Sequence, residues 1–282
     1  MRLTFLGWAG VELEAGDATV VLDPLADAAA VFAPLGERVA GTPLPRVVAP
    51  GAGRAVAGLV SHLHRDHADA AALAAALAPG APVLGPPAGD GEGLEELALA
   101  QAEHELAAAG LTPRRLGPWE SATAGPFTLT ALPAVDGTGD PQVSWLVEAG
   151  GVRVLHLGDT MMHAYWWRMA LRHGPFDAVL APVNGAVVGF PHRRPASPAP
   201  AVLDPDEAAV AAEIVGARLA IPIHAEGYEI DGIYAPVKDA ARRFATAAAD
   251  RGVAAQTLAP GEAVDLAAST RSSRTSSPGS TR

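Results

Sequence analysis

The sequence predicts a single α/β domain built from two packed β-sheets flanked by helices. Strand-type runs fill its opening, strands and helical patterns then alternate to residue 267, and 49% of the 282 residues are hydrophobic. The last observation supplies a core large enough for one such domain. The first two demand layers, because each amphipathic element has to bury a face against another. Alanine dominates the apolar residues and aromatics make up only 5%, so the helices should be thin and lie close to a sheet.

Taken in order, LTFLG and VELEA alternate with a period of two, Gly16-Asp17 turns the chain, and TVVLDP runs into Asp23-Pro24. Residues 26 to 55 are rich in Ala, Pro and Gly and read as an irregular loop. AGLVSH is a short apolar strand, and ADAAALAAALAPG is a helix closed by Pro79-Gly80. GLEELALAQAEHELAAAG (93–110) is a second helical pattern, FTLTALPAV a strand, and VSWLVEAGGVRVLHLGD a hairpin about Gly150-Gly151. Tyr165 to Arg172 reads as helix and FDAVLAPVNG as strand and loop. DPDEAAVAAEIVGA reads as a helix with Asp204 as N-cap and Pro205 in its first position. LAIPIHA, YAPVKDAARRFATAAADRG and AAQTLAPGEAVDL complete the series as strand, helix and closing strand. A domain over 1–267 is thus expected, followed by a disordered Ser/Arg-rich tail over 268–282.

The formal net charge is −11, and the last fifteen residues hold three arginines and no acid, so the body stands near −14 (−11 − 3). Such a surface repels phosphate backbones and argues against nucleic acid as a partner. Cysteine is absent, which removes disulfides, thiol nucleophiles and thiolate ligands; a metal site has to use histidine and carboxylate. The opening turns acidic within a dozen residues and no run reaches the length of a membrane span. A cytoplasmic protein with no membrane partner is expected.

SHLHRDHAD, residues 61 to 69, spends three of the nine histidines within six positions. His62 and His64 are two apart and point the same way on an extended segment. Asp66 and His67 follow past a turn, so four ligand-type side chains meet at the end of an apolar strand. A solvated polar loop is the plainer alternative. Two further strand ends add to the set: VRVLHLGD finishes in Asp159 after a glycine that permits close backbone approach, and LAIPIH finishes in His224. Alone these would be a turn former and a structural histidine. With the first cluster they supply enough ligands for two metals.

HLHRDH resembles the HxHxDH signature of the metallo-β-lactamase fold superfamily of metal-dependent hydrolases. The resemblance extends in order through TVVLDP, LHLGDT and IPIH, covering nearly all the chain before the tail. FLGWAGVELE and LAPVNG are similar to the branch containing the L-ascorbate-6-phosphate lactonases. The resemblance implies a four-layer αβ/βα sandwich and two divalent ions, zinc foremost. His62 and His64 would hold the first ion, Asp66, His67 and His224 the second, and Asp159 would bridge them; these six would form the catalytic set. Relatives complete the first site with a histidine in a stretch like PAxH; here LPAVDG places Asp136 there. They also often have histidine where this chain has Trp8. Asp136 reads either as a ligand, shifting preference toward manganese or iron, or as a turn residue of DGTGD.

A water held between two such ions ionises near neutral pH, and the ions polarise the bond under attack. The expected activity is hydrolysis of a small ester, lactone or phosphoester, an anionic one if His192, beside Arg193 and Arg194, meets it. Asn184 in PVNG and His163 after GDT are the other candidate substrate contacts. Two alternatives stand beside this reading: a nuclease or phosphodiesterase, and a degenerate metal-binding or sensing protein without hydrolase activity. Fold does not choose among them, because function lives in the pocket.

Overall fold

The computed structural model describes residues 1–33, 43–89, 95–191, 193–225 and 227–268. The first half contributes strands β1 (Arg2–Gly7), β2 (Gly10–Ala15), β3 (Ala18–Leu22), β4 (Ala55–Leu59), β5 (Val83–Gly85) and β6 (Arg114–Arg115), with helices α1 (Ala28–Phe32), α2 (Ala70–Ala76) and α3 (Glu95–Ala108). The second half contributes β7 (Ser121–Ala124), β8 (Phe127–Pro133), β9 (Val143–Ala149), β10 (Val152–His156), β11 (Ala178–Pro182), β12 (Val187–Val188), β13 (Leu219–Ile223), β14 (Tyr234–Ala235) and β15 (Ala254–Ala255), with helices α4 (Trp166–His173), α5 (Pro205–Val215) and α6 (Ala240–Asp250). A last strand, β16 (Ala263–Asp265), returns to pair antiparallel with β1.

Both large sheets are mixed. The first runs β16-β1-β2-β3-β4-β5-β6, antiparallel at its start and parallel from β3 onward; the second runs β15-β13-β11-β10-β9-β8-β7, parallel from β15 to β10 and antiparallel beyond. The period-two alternation decides what each face meets. Val20 and Leu22 face the second sheet and join Trp145 and Val147 in the central core, whereas Val21 turns outward to Leu73 of α2 and Leu106 of α3. Leu146 and Leu155 turn outward from the second sheet onto Trp166, Ala212 and Phe244. Helix, sheet, sheet and helix therefore stack as the expected four layers.

Several boundaries differ from expectation. α1 occupies part of the segment read as loop, started by Asp27, whose carboxylate accepts the Ala30 N–H. The helix expected over YAPVKDAARRFATAAADRG begins only at Ala240, and Tyr234–Ala235 pairs with Val187–Val188 instead. Pro236 explains this, since it pushes the residue before it toward extended conformation. The single closing strand is two: β15 stays in the second sheet and β16 crosses to the first, split at Pro260-Gly261. α5 follows expectation closely. Asp204 and Glu207 form a capping box, Pro205 opens the helix, and Gly216 closes it in the left-handed region. The expected tail lies outside the described residues except for Ala268.

Candidate metal centre

Strand ends of both sheets deliver the site. β4 of the first sheet runs into the loop carrying His62, His64, Asp66 and His67; Asp136 follows β8, Asp159 follows β10, and His224 follows β13 in the second. Ligand-type atoms come together in three groups, His62 with His64 and Asp136, His62 with His67 and Asp159, and Asp66 with His67 and His224, each within 4.8 Å. Asp159 sits centrally, 3.3 Å from His67 Nε2 and 3.0 Å from His224 Nε2. Asp66 lies 3.8 and 3.9 Å from the same two nitrogens. All seven residues proposed from sequence as ligands are thus gathered, Asp136 included, on the side of His62 and His64.

The rings are aimed by buried partners that the sequence did not single out. Asp23, at the end of β3, accepts from the Ser61 N–H at 2.8 Å and Oγ–H at 2.6 Å, and its Oδ2 also lies 2.9 Å from His67 Nδ1. Because the Ser61 proton goes to Asp23, the 2.9 Å contact between Ser61 Oγ and His62 Nδ1 has the imidazole as donor. Both rings therefore carry a proton on Nδ1 and present Nε2 inward. His62 Nε2, His67 Nε2 and Asp159 Oδ1 are all buried with no hydrogen-bond partner. Buried polar atoms are rarely left so, and this donor set fits divalent cations. His64 is turned the other way: Nε2 meets Asp140 Oδ2 at 2.7 Å, leaving Nδ1 for the cluster. Thr138 donates its N–H at 2.6 Å, and its hydroxyl, to Asp136 Oδ1, leaving Oδ2 free of those bonds.

The backbone is bent to make this possible. Trp8, Asp23 and His224 all hold positive φ, 53°, 40° and 51°. Such conformations cost non-glycine residues about 1–3 kcal/mol each and persist only where the surroundings enforce them. Gly158 answers a different need: at φ +63° a Cβ there would lie 2.8 Å from Ser61 Cβ. The glycine lets the Asp159 strand end close on the histidine loop. Gln142 Oε1 accepts the Asp159 N–H at 3.0 Å.

Charges in the cluster are mutually dependent. Burial disfavours the His64 cation, but the hydrogen bond to Asp140 and the charges of Asp136 and Asp66 outweigh it and hold the ring at about 9. Burial also opposes charge on His67 and His224, yet Asp159 foremost and Asp66 raise both. Asp159 and Asp66 are correspondingly held well below the usual carboxylate range, against their own burial, by His224 and His67. His62 is pushed down by burial and by the charges of His67 and His64. Burial moves Asp136 up. The carboxylates thus favour the charged forms of His64, His67 and His224, and the rings in turn favour ionised Asp66 and Asp159.

The family model described as "beta-lactamase superfamily domain" matches residues 18–225. The chain belongs to the metallo-β-lactamase superfamily. Solved structures of similar fold include Igni18, a metallo hydrolase from the hyperthermophilic archaeon Ignicoccus hospitalis, with 16% identity, TM-score 0.61, and coverage of 93% of this chain and 97% of that one. CmlA, a diiron β-hydroxylase from Streptomyces venezuelae, matches at 16% identity and TM-score 0.68 over 94% of this chain and 54% of its own. The isothiocyanate hydrolase from Delia radicum gut bacteria matches at 16% identity and TM-score 0.64 over 95% and 100%. At such identities these likenesses establish the superfamily fold.

The expected substrate contacts fare differently. A cavity of ≈ 410 Å³ opens over the cluster, with His64, Asp66, Asp136, Asp159 and His224 among its lining. Neither Asn184 nor His163 lines it. Asn184 is buried behind the wall, where Nδ2 donates to Tyr234 Oη at 2.8 Å. His163 is carried away by the turn after Thr160 and stacks on Trp166 of α4, centroids 3.8 Å apart. His192 lies outside the described residues. His156 is buried and donates Nε2–H to the Ala9 carbonyl at 2.8 Å, a structural role. The signals that could have revealed Asp23, Ser61 and Asp140 were their positions at a strand end, beside the histidine loop, and within DGTGD.

Proposed function

We propose that this chain is a metal-dependent hydrolase that cleaves an ester or lactone bond of a small molecule. The observation behind the proposal is the set of buried, unpartnered atoms His62 Nε2, His67 Nε2 and Asp159 Oδ1, gathered with the other ligand candidates beside the cavity. His62, His64 and Asp136 would hold one divalent ion and Asp66, His67 and His224 the other, with Asp159 shared between them. Zinc suits the imidazoles, while three carboxylates in one cluster also suit manganese or iron. Such ions supply Lewis acidity, making water a nucleophile near neutral pH and polarising a carbonyl.

The chain's own residues do the rest. Asp23 and Ser61 hold the His62 and His67 rings in one tautomer, Asp140 does so for His64, and Trp8 donates its Nε1–H to Asp66 at 2.9 Å. The apolar walls above the floor would face the bound substrate. A lactone carbonyl agrees with the sequence likeness to the L-ascorbate-6-phosphate lactonase branch. The phosphate in that branch's name would meet no lysine or arginine among the described lining residues. A small-molecule substrate in the cytoplasm, rather than nucleic acid, belongs to the same proposal; among the described residues no helix is long and apolar enough to cross a membrane.

The experiment is metal analysis of the purified chain together with a panel of ester, lactone and phosphodiester substrates. Two ions per chain and metal-dependent turnover of an ester or lactone are expected. At most one ion, with no turnover, would favour the metal-binding protein without hydrolase activity.

A further inference from the structure

The cavity floor is polar, but its walls are not. They come from the segments that follow β11 and β13, tied together where β12 pairs with β14. One segment turns Ala186, Val188 and Phe190 toward the cavity, and the other turns Ile230 and Ile233. Two phenols complete the wall. Tyr234 is pinned by Asn184, and Tyr228 stacks on it with centroids 4.8 Å apart while its other contact is Phe32 at 4.7 Å. Burial holds both phenols above their ordinary range, so they bring no charge near neutral pH. Among the described residues no lysine or arginine lines the cavity.

Apolar side chains gathered around a concavity of this size are the mark of a ligand site. The floor would take the reacting group, so the walls must meet what remains of the substrate. An anionic end there would give up its water and find no lysine or arginine among the described lining residues, with the carboxylates of Asp66, Asp136, Asp140 and Asp159 nearby. Hydrocarbon would gain from the same surface, by about three- to fourfold in affinity per buried methylene.

We propose that the substrate carries no negative charge away from its hydrolysable bond, and that this remainder is an alkyl or aryl group lying between the β11 and β13 segments against Val188, Phe190, Ile233 and Tyr234. The assignment rests on the hydrolase reading above for the orientation of the reacting group. It departs from the anionic substrate that the sequence admitted through His192, Arg193 and Arg194.

The test uses the full chain loaded with zinc and straight-chain carboxylates from propanoate to octanoate as product-like probes, with binding measured by calorimetry. Affinity should rise about threefold or more per added methylene until the cavity fills, and adipate should bind at least tenfold more weakly than hexanoate. Phenyl esters of the same acids should follow the same order in kcat/KM. Ile233→Arg should flatten the alkyl series and bring adipate to or above hexanoate; Val188→Arg serves if that variant does not fold, zinc content being the check. A flat series, or adipate equal to hexanoate in the unsubstituted chain, overturns the proposal. Binding that climbs with chain length while no ester or lactone is turned over would sink the hydrolase reading and leave the tail assignment standing. Turnover of esters without dependence on chain length would do the reverse.

Discussion

Trp8 and His224 meet with both backbones in the left-handed region. The Trp8 carbonyl accepts the His224 N–H at 2.9 Å, the rings lie 3.8 Å apart, and both residues have positive φ. The indole N–H then reaches Asp66. One residue of the β1–β2 turn thus contacts a ligand candidate from each half.

Trp8→Phe keeps the ring but removes the donor to Asp66. Loss of a partner to a metal-site carboxylate typically weakens binding about tenfold or more. Chelator competition should show one of two zinc ions held about tenfold less tightly, with the other unaffected. Equal affinity at both sites would remove Trp8 from the centre.

Asp23→Asn should be more severe, because Asp23 fixes the protonated nitrogen of two rings. An amide nitrogen in place of Oδ2 would face the His67 Nδ1–H, and the Ser61 hydroxyl would lose its acceptor. Affinity for both ions should fall about 10–100-fold, measured in the same competition. Ser61→Ala, which removes the hydroxyl between Asp23 and His62 but leaves His67 on Asp23, should fall between this and the unsubstituted chain.

Asp136 separates two readings of the first site. Asp136→Ala should lower zinc content from two ions per chain to one and abolish turnover, whereas Asp136→His should retain both ions. Full zinc content in the alanine variant would make Asp136 a turn residue, held by Thr138 and nothing more.

Stability of the metal-free chain should depend on pH in a definite direction. The His64 ring titrates at about 9 in the folded chain against an ordinary 6.5, and His67 and His224 move the same way. A raised folded-state pKa stabilises fully below the unfolded value and is lost as pH climbs through the folded one. The Tm of metal-free protein should therefore drop between pH 6.5 and 9. His62, shifted downward, acts oppositely as pH falls below 6.5. With zinc bound, cations replace those protons, so the decline toward pH 9 should vanish. A metal-free Tm that rises across that window would contradict the cluster's charge balance.

Asp204→Ala offers a control outside the ligand cluster. It removes the capping box of α5 and should cost about 1 kcal/mol, seen in urea unfolding, with zinc content unchanged.

Much of this was legible in the primary structure, for identifiable reasons. HLHRDH lies on one short loop, so its spacing survives folding, and Asp159 and His224 end apolar strands that could be read by alternation. Asp136 was visible only through the likeness of LPAVDG to the PAxH stretch of relatives. What escaped depended on contacts far apart in sequence. Asp23 and Ser61 are 38 residues apart, and His64 and Asp140 76 apart, yet they share hydrogen bonds. Asn184 and His163 looked suited to a pocket by type and location, but burial and a turn direct them elsewhere. The apolar walls were invisible because β12 and β14 are two residues each and pair Val187 with Ala235 and Val188 with Tyr234, far apart in sequence.

The ligand candidates are divided between the sheets: four leave the first and three the second. Any ion bound by both sets becomes a rivet through the seam between two halves of the molecule. At a hundredfold excess over its dissociation constant, one such ion adds about 2.7 kcal/mol to the native state. The larger consequence is kinetic, since sliding the sheets apart would first require the rivet to leave. Amide exchange along β3, β4 and β10 should then slow in parallel on loading, and a chelator should hasten the exchange of both sheets together, so that handling of the protein sets its lifetime as much as its sequence does.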